Sequence, residues 1–153
     1  PSHMIDLRQA RPDEFPLAAG LRQEMALEMG DDFDAESPGW RAKFCAYFSG
    51  KQRAGAAHLV LAFDGDEPVG CAVVSILDDY RRFTFNVTSA FVNAVYVKPA
   101  YRRQGIARRL MELVVAWARR SGCARVRLRT SEDGRPLYSA MGFKTGREME
   151  LPL

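Results

Sequence analysis

The feature that most constrains this chain is a change of pattern between residues 85 and 120. A β-type stretch from Phe85 to Val97 ends at Lys98-Pro99, and an arginine-rich turn follows it. From Gly105 to Arg120 the apolar residues recur at helical spacing. An amphipathic helix buries its apolar face by packing on a sheet, so a strand that leads through a tight turn into such a helix indicates a helix layer on a sheet. The pattern therefore predicts a layered α/β domain built on one sheet.

Turn signals divide the rest of the chain into shorter elements. Proline near a predicted helix start and glycine after its end are typical of helix boundaries, and alternating apolar residues between turns are typical of strands. The predicted order is β-α-α-β-β-β-α-β-α-β, with the long stretch before Lys98 bent or bulged. We expect strands at Ile5–Arg8, His58–Phe63, Val69–Leu77, Arg125–Arg129 and Phe143–Leu151, and helices beginning at Pro12, Ser37 and Arg135.

Composition bounds the kind of protein. The 153 residues are 47% hydrophobic and 27% charged, which is typical of one globular domain. No apolar run approaches the roughly 20 residues that span a bilayer. The three cysteines lie far apart, so we expect reduced thiols in a cytoplasm and neither a disulfide framework nor a metal site. Residues 1–3 resemble the remnant of a purification tag, and residues 4–153 are predicted to form a single domain.

Charge is distributed unevenly along the chain. Residues 1–80 contain 14 acidic and 7 basic residues, whereas residues 81–153 contain 5 acidic and 15 basic residues. A basic half can attract an anionic ligand and an acidic half a cationic one, although a solvated polar surface would give the same counts. The basic half contains no motif that reads DNA or RNA, so we expect no nucleic-acid partner.

The turn before the Gly105 helix has the features of a phosphate site. The first N–H groups of a helix lack partners within the helix, and the positive end of the helix dipole adds to their attraction for anions. Gly105 allows close approach of a ligand because it has no Cβ. Neighbouring arginines can add charge-assisted bonds. A glycine at a helix start is common, however, so this feature alone is weak.

Two longer blocks are more specific. The first is Arg102-x-x-Gly105-x-Ala107 directly after Val95-Tyr96-Val97. The second is Arg135-Pro136-Leu137-Tyr138-Ser139-Ala140-Met141-Gly142-Phe143. In content and order the two blocks resemble the pyrophosphate-binding signature and the Leu-Tyr-x-x-x-Gly-Phe block of the GCN5-related N-acetyltransferase (GNAT) family.

The resemblance implies a fold and a co-substrate. The fold would be a GNAT-type α/β fold, a mixed and mostly antiparallel sheet that is splayed between strands 4 and 5, with helices on both faces. Acetyl-CoA would lie in the cleft, its pantetheine arm pairing with the backbone of Val95 and Val97 like an added strand. The implied cofactor-binding residues are Val95, Tyr96, Val97, Arg102, Arg103, Gln104, Gly105, Ile106, Ala107, Arg108 and Ser131.

The resemblance also implies catalytic roles. An alkyl amine has a pKa near ~10.4, so the enzyme must remove a proton before the amine attacks the thioester and must protonate the leaving thiolate. Tyr138 matches the position of the family's general acid. Asn93 stands where the family often has a glutamate base; it can hold a water molecule but cannot accept the proton itself. Ser131 replaces an asparagine that many members have.

The predicted acceptor site is the least defined part. Glu24 and Glu28 share a helix face, and Trp40 lies on an aromatic face that packs in the core or covers the substrate. The expected function is acetyl transfer from acetyl-CoA to a primary amine of a small molecule, amino acid or peptide, by a cytoplasmic, bacterial-type enzyme. The alternatives are a CoA-binding module without turnover and acetylation of a protein amino group. We expect a monomer or, by family analogy, a homodimer, without a membrane partner.

Overall fold

A computed structural model describes residues 4–153 and shows a five-stranded sheet in the order β1-β2-β3-β4-β5. The first three strand pairs are antiparallel and the β4–β5 pair is parallel. The strands are β1 (Asp6–Gln9), β2 (Ala57–Asp64), β3 (Glu67–Leu77), β4 (Ser89–Val97) and β5 (Arg125–Leu128). The helices are α1 (Phe15–Glu28), α2 (Phe33–Glu36), α3 (Trp40–Arg53), α4 (Ile106–Arg120) and α5 (Arg135–Ala140). The tag interpretation of residues 1–3 lies outside the described residues.

Helices cover both faces of the sheet, as the resemblance implies. On one face α1 and α3 pack through Phe15, Leu21 and Phe48 onto alternate residues of β2, β3 and β4. On the opposite face Leu110 and Val114 of α4 pack onto the remaining alternate residues. Strand side chains point alternately to the two faces, so a strand covered on both reads as a continuous apolar run. That explains why β2 is buried along nearly its whole length.

A β-bulge divides β4 at Asn93. In the pairing with β3, Ala94 lies opposite Val73 and Val92 lies opposite Val74, so Asn93 is the extra residue. The pairing of β4 with β5 ends at Val92, and the strand then continues to Val97 without a second neighbour. The predicted bulge and the predicted splay between strands 4 and 5 are therefore both confirmed.

Several boundaries differ from the predictions. The first helix begins at Phe15 after a 3₁₀ turn that starts at Pro12, the helix predicted from Ser37 begins at Trp40, and the short helix α2 was not predicted. The stretch predicted from Phe85 forms a strand only from Ser89, because residues 85–88 are irregular and the Thr88 N–H bonds to the Asn86 side chain instead of a neighbouring strand. The predicted final strand at Phe143–Leu151 is wrong, because this segment forms no strand in the structure. Its alternation suits a strand, but strands need a hydrogen-bonded neighbour, and the contacts of this segment with β5 include the side-chain ion pairs Arg127–Glu148 and Arg129–Glu150.

Residues 4–153 contain neither a membrane-spanning helix nor a cluster of metal-binding side chains. No helix in this range is long and apolar enough to cross a membrane. No group of three or more His, Cys, Asp or Glu side chains in the same range is arranged to hold a metal ion. The three cysteines are all free thiols.

Candidate active site

The turn between β4 and α4, here called the 102–108 loop, presents unpaired backbone N–H groups. Within the described chain, the amides of Arg103 and of residues 105–108 have no hydrogen-bond acceptor, and the first internal bond of α4 runs from the Arg109 N–H to the Gly105 carbonyl, 3.1 Å away. Ile106 is buried and Ala107 half-buried against the sheet, which fixes the start of the helix. Unpaired amides at the positive end of a helix suit a diphosphate.

Two residues of the loop have left-handed backbone conformations. Arg103 has a φ of 64° and Gly105 a φ of 77°. Such a φ is unusual for a residue with a side chain, and residues held in it cluster at ligand clamps. A Cβ built on Gly105 would meet no atom within 4 Å. The glycine is therefore needed for its backbone angle, and the space beside it is open to a ligand.

The arginines of the loop differ in their surroundings. Arg103 and Arg108 are exposed, and Arg108 makes only a 3.4 Å contact with Glu112 one helical turn away. Gln104 is also exposed. Arg102 instead turns toward the protein, where its Nε donates to the Val97 carbonyl at 2.9 Å. The structure thus brings Arg103, Gln104 and Arg108 to the predicted phosphate site and gives the donors of Arg102 other partners.

The free half of β4 provides a second set of backbone groups. The Lys98 N–H bonds to Val69 of β3, and backbone groups of successive strand residues point to opposite edges. Those of Val95 and Val97 consequently face the gap beyond the end of β5, whereas those of Tyr96 face β3. This is the arrangement that pantetheine pairing at Val95 and Val97 requires, although the Val97 carbonyl already accepts from Arg102.

Tyr138 lies on the α4 side of the sheet. Its half-buried ring meets the Phe143 ring edge-on at 5.7 Å and packs against the same apolar cluster as Val95 and Ala107. Burial raises the pKa of the phenol above its usual value. Its hydroxyl has no hydrogen-bond partner within residues 4–153. The side chain is therefore protonated at neutral pH and has a hydroxyl available to donate a proton.

Asn93 and Ser131 have defined partners. Asn93 is exposed at the bulge, and its Oδ1 accepts from the Ser75 hydroxyl at 2.9 Å. Its amide NH₂ remains available to hold a water molecule at the splay. Ser131 closes the turn before α5, because its Oγ accepts from the Gly134 N–H at 3.3 Å and its carbonyl accepts from Arg135. Contact of Ser131 with a pantetheine arm stays a prediction.

The residues predicted for the acceptor site are mostly engaged with other parts of the protein. Glu28 accepts from the Tyr96 hydroxyl at 2.6 Å and from Arg102 at 2.7 Å. Glu24 lies 4.0 Å from the Lys98 ammonium. The Trp40 indole donates to Asp34 at 2.8 Å, and its ring packs edge-on against neighbouring phenylalanines. On the aromatic face of α3, Phe48 is therefore buried in the core, whereas Trp40 is half-buried, and its role in covering a substrate stays a prediction.

Two residues that support the site were not predicted from the sequence. Ser75 on β3 holds Asn93, and only strand register places them side by side. A Cβ built on Gly134 would lie 3.0 Å from the Tyr138 ring and 2.9 Å from the Thr130 hydroxyl, so glycine leaves room for the catalytic candidate. Its place four residues before Tyr138 was the available signal, because residues so spaced meet at a helix start.

Comparison with known proteins agrees with this geometry. The chain is 27% identical to an aminoglycoside N(6')-acetyltransferase type 1 of Salmonella enteritidis over 145 residues, 92% of each protein. It is 32% identical over 95 residues to the enzyme of the same name from Acinetobacter genomosp. 13, spanning 65% of that relative. A predicted acetyltransferase from Clostridium acetobutylicum, solved with acetyl-CoA, has a TM-score of 0.81 at 22% identity, covering 97% of this chain and 96% of its own.

The family assignment rests on a match to a family sequence model. The sequence model of the acetyltransferase (GNAT) family matches residues 21–143, which include both motif blocks and the whole of β2 to α5. The predicted family is thereby confirmed, and this chain belongs to the acetyltransferase (GNAT) family.

Proposed function

We propose that this protein is an N-acetyltransferase that transfers the acetyl group of acetyl-CoA directly to a primary amine. The observation that carries the proposal is the row of unpaired amides at residues 103 and 105–108, set beside a strand edge that is free from Ala94 to Val97. The first group fits the pyrophosphate and the second the extended pantetheine arm. The two sites adjoin along the chain, so one CoA molecule could occupy both.

The catalytic steps use groups of this chain. The backbone amide of Val95, which faces the gap, would polarise the acetyl oxygen. A water molecule held by Asn93 would take the proton from the ammonium form of the acceptor and pass it to solvent, since Asn93 cannot bind the proton itself. After the C–N bond forms, the nitrogen would lose its second proton to the same water; as the C–S bond breaks, Tyr138 would protonate the leaving thiolate and then regain its proton from solvent.

The proposed acceptor is the amine of a small polycationic molecule such as an aminoglycoside. Between residues 23 and 40 the chain has six acidic residues and no lysine or arginine. Most of these acids hold other parts of the protein, but the exposed side chain of Asp31 makes no hydrogen bond or ion pair within residues 4–153, and Glu24 has only the distant ammonium of Lys98. The full-length similarity to an aminoglycoside N(6')-acetyltransferase supports the same class of acceptor.

A panel of amines with acetyl-CoA tests the activity. Released thiol and an acetylated product should appear with aminoglycosides that have a free 6'-amine, and less with single amino acids or peptide N-termini. An aminoglycoside without that amine is the matched control. CoA binding without turnover on any amine would support the binding-module alternative, and failure to bind CoA would overturn the proposal.

The proposal extends to assembly and location, with two copies pairing along their β5 edges in the cytoplasm. Within residues 4–153 β5 pairs only with β4, and a cavity of about 720 Å³ separates it from the C-terminal segment. Met149, Leu151 and Leu153 alternate in that segment and are almost fully exposed. Three free thiols suit a reducing compartment. Light scattering should give twice the chain mass, and Leu151→Asp should halve it; a monomer at all concentrations would contradict the pairing.

A further inference from the structure

The 102–108 loop depends on contacts outside itself to keep its shape. Its amides make few bonds within the loop, and two of its residues hold left-handed angles that cost conformational free energy. Such a conformation persists only where neighbouring structure fixes it. The residue that connects the loop to its neighbours is Arg102, because its side chain reaches both β4 and α1.

The contacts of Arg102 use both edges of its guanidinium. Nε donates to the Val97 carbonyl at 2.9 Å, and Nη2 donates to the two carboxylate oxygens of Glu28 at 3.0 and 2.7 Å. The guanidinium also lies 5.6 Å from the centre of the Tyr96 ring, whose hydroxyl donates to the same carboxylate at 2.6 Å. Glu28, the last residue of α1, is 68 positions from Tyr96 and thus joins two distant parts of the chain.

This arrangement leaves Arg102 poorly suited to bind phosphate directly. Three of its five N–H donors are taken, and the Glu28 carboxylate neutralises its charge. Arg103 makes no ion pair within residues 4–153 and Arg108 makes only a 3.4 Å contact with Glu112, so these are the arginines available to the anion. The guanidinium of Arg102, held between a carbonyl and a carboxylate, instead fixes the direction of the chain where β4 passes into the loop.

We propose that Glu28 is a positioning residue for CoA, which acts through Arg102 to hold the 102–108 loop in its binding shape. The inference rests on the proposed function, since it assigns a role toward the same cofactor. Glu28 would contact neither the cofactor nor the acceptor, which differs from its predicted place in the acceptor site. Its loss should therefore weaken CoA binding and leave turnover at saturating acetyl-CoA nearly unchanged.

A double-mutant cycle tests the proposal through the Kd of CoA, measured by calorimetry. Glu28→Gln and Arg102→Gln should each raise Kd about tenfold, and the double variant should be no weaker than either single one, as expected for residues that act as a unit. The kcat at saturation should stay within about threefold of the native value, because only ground-state binding changes. Asp13→Asn, which removes an exposed carboxylate from a surface pair with Arg11, is the matched control.

The alternatives give different results in the same cycle. If Arg102 binds phosphate and Glu28 merely restrains it, Glu28→Gln will lower Kd and Arg102→Lys will stay near the native value; either result overturns the proposal. If the guanidinium of Arg102 positions the loop, Arg102→Lys should bind CoA as weakly as Arg102→Gln, because an ammonium cannot make the same set of bonds. Thermal unfolding of each variant without CoA verifies that it is folded. Native protein that fails to bind CoA refutes the proposed function, whereas normal binding by all variants refutes only the role of Glu28.

Discussion

The two halves of β4 have similar sequences but different neighbours. From Ser89 to Val92 the strand is paired on both sides, with β3 and β5, whereas from Ala94 to Val97 it is paired only with β3. Asn93 at the bulge marks the change. A strand paired on both sides contributes to stability, and a strand edge left free can bind an extended ligand. One strand therefore serves the fold in its first half and the proposed chemistry in its second.

Proline substitutions would break this comparison most directly. Val92 faces β5 through its backbone, so Val92→Pro removes a ladder bond from an interior strand and should lower the free energy of unfolding by roughly 3 kcal/mol or more. Val95 faces the free edge, so Val95→Pro should retain the fold but reduce activity about 100-fold, the cost of losing one amide that stabilises an oxyanion. Urea unfolding and thiol release measure the two effects. Full activity in Val95→Pro would contradict the assigned role of the free edge.

Tyr138→Phe tests whether the proposed general acid acts near the free edge of β4. Removing the phenol should lower kcat about 100-fold or more, the usual contribution of a general acid, with the Kd of CoA within about twofold of the native value. Steady-state kinetics and calorimetry give both values. Tyr80→Phe, at an exposed tyrosine in the turn before β4, is the control. Unchanged kcat in Tyr138→Phe would remove this residue from the mechanism.

A pH series distinguishes the packing beneath the first half of β4 from the proposed CoA binding at its second half. His58 of β2 is buried and stacks on Trp117 at 5.3 Å, and burial together with the charge of Arg120 lowers its pKa to about 4. Its unfolded pKa is about 6.5, so the unfolded chain binds more protons between these values. The stability that neutral His58 contributes is complete above pH 6.5 and is lost as the pH falls toward 4.

The expected loss is about 2 kcal/mol in the free energy of unfolding between pH 7 and pH 5. Chemical denaturation at a series of pH values measures it. His58→Phe retains an aromatic ring on Trp117 but cannot be protonated, so this part of the pH dependence should disappear. An identical pH profile in the variant would show that other groups cause the loss.

Glycine substitutions at the two ends of α4 give the smallest effect and the cleanest comparison. Gly105 and Gly122 have φ values of 77° and 78°, and a Cβ on either would meet no atom within 4 Å. Alanine at each should cost about 1 kcal/mol of stability through backbone strain. Only Gly105→Ala should also raise the Kd of CoA, because only that end carries the unpaired amides. Equal Kd values in the two variants would argue against a phosphate site there.

Local patterns predicted most elements, because they depend on residues close in sequence. The amphipathic stripe of α4, the bulged strand before Lys98 and the glycine before the helix all follow from neighbouring residues. The segment from Phe143 to Leu151 also alternates, but it forms no backbone ladder with the neighbouring β5, so the strand prediction failed. Strand formation is a property of a pair, and the pair could not be inferred from one segment.

The roles of side chains divide in the same way, into those set by neighbouring residues and those set by tertiary contacts. The sequence by itself determined the family and singled out the proposed cofactor loop and the proposed acid Tyr138, because motifs of consecutive residues define them. Tertiary structure alone decided that Arg102 turns to Glu28, that Ser75 holds Asn93, and that Gly134 makes room for Tyr138. Arg102 and Glu28 are 74 residues apart, and only the packing of α1 over the end of β4 brings a carboxylate within 2.7 Å of that guanidinium.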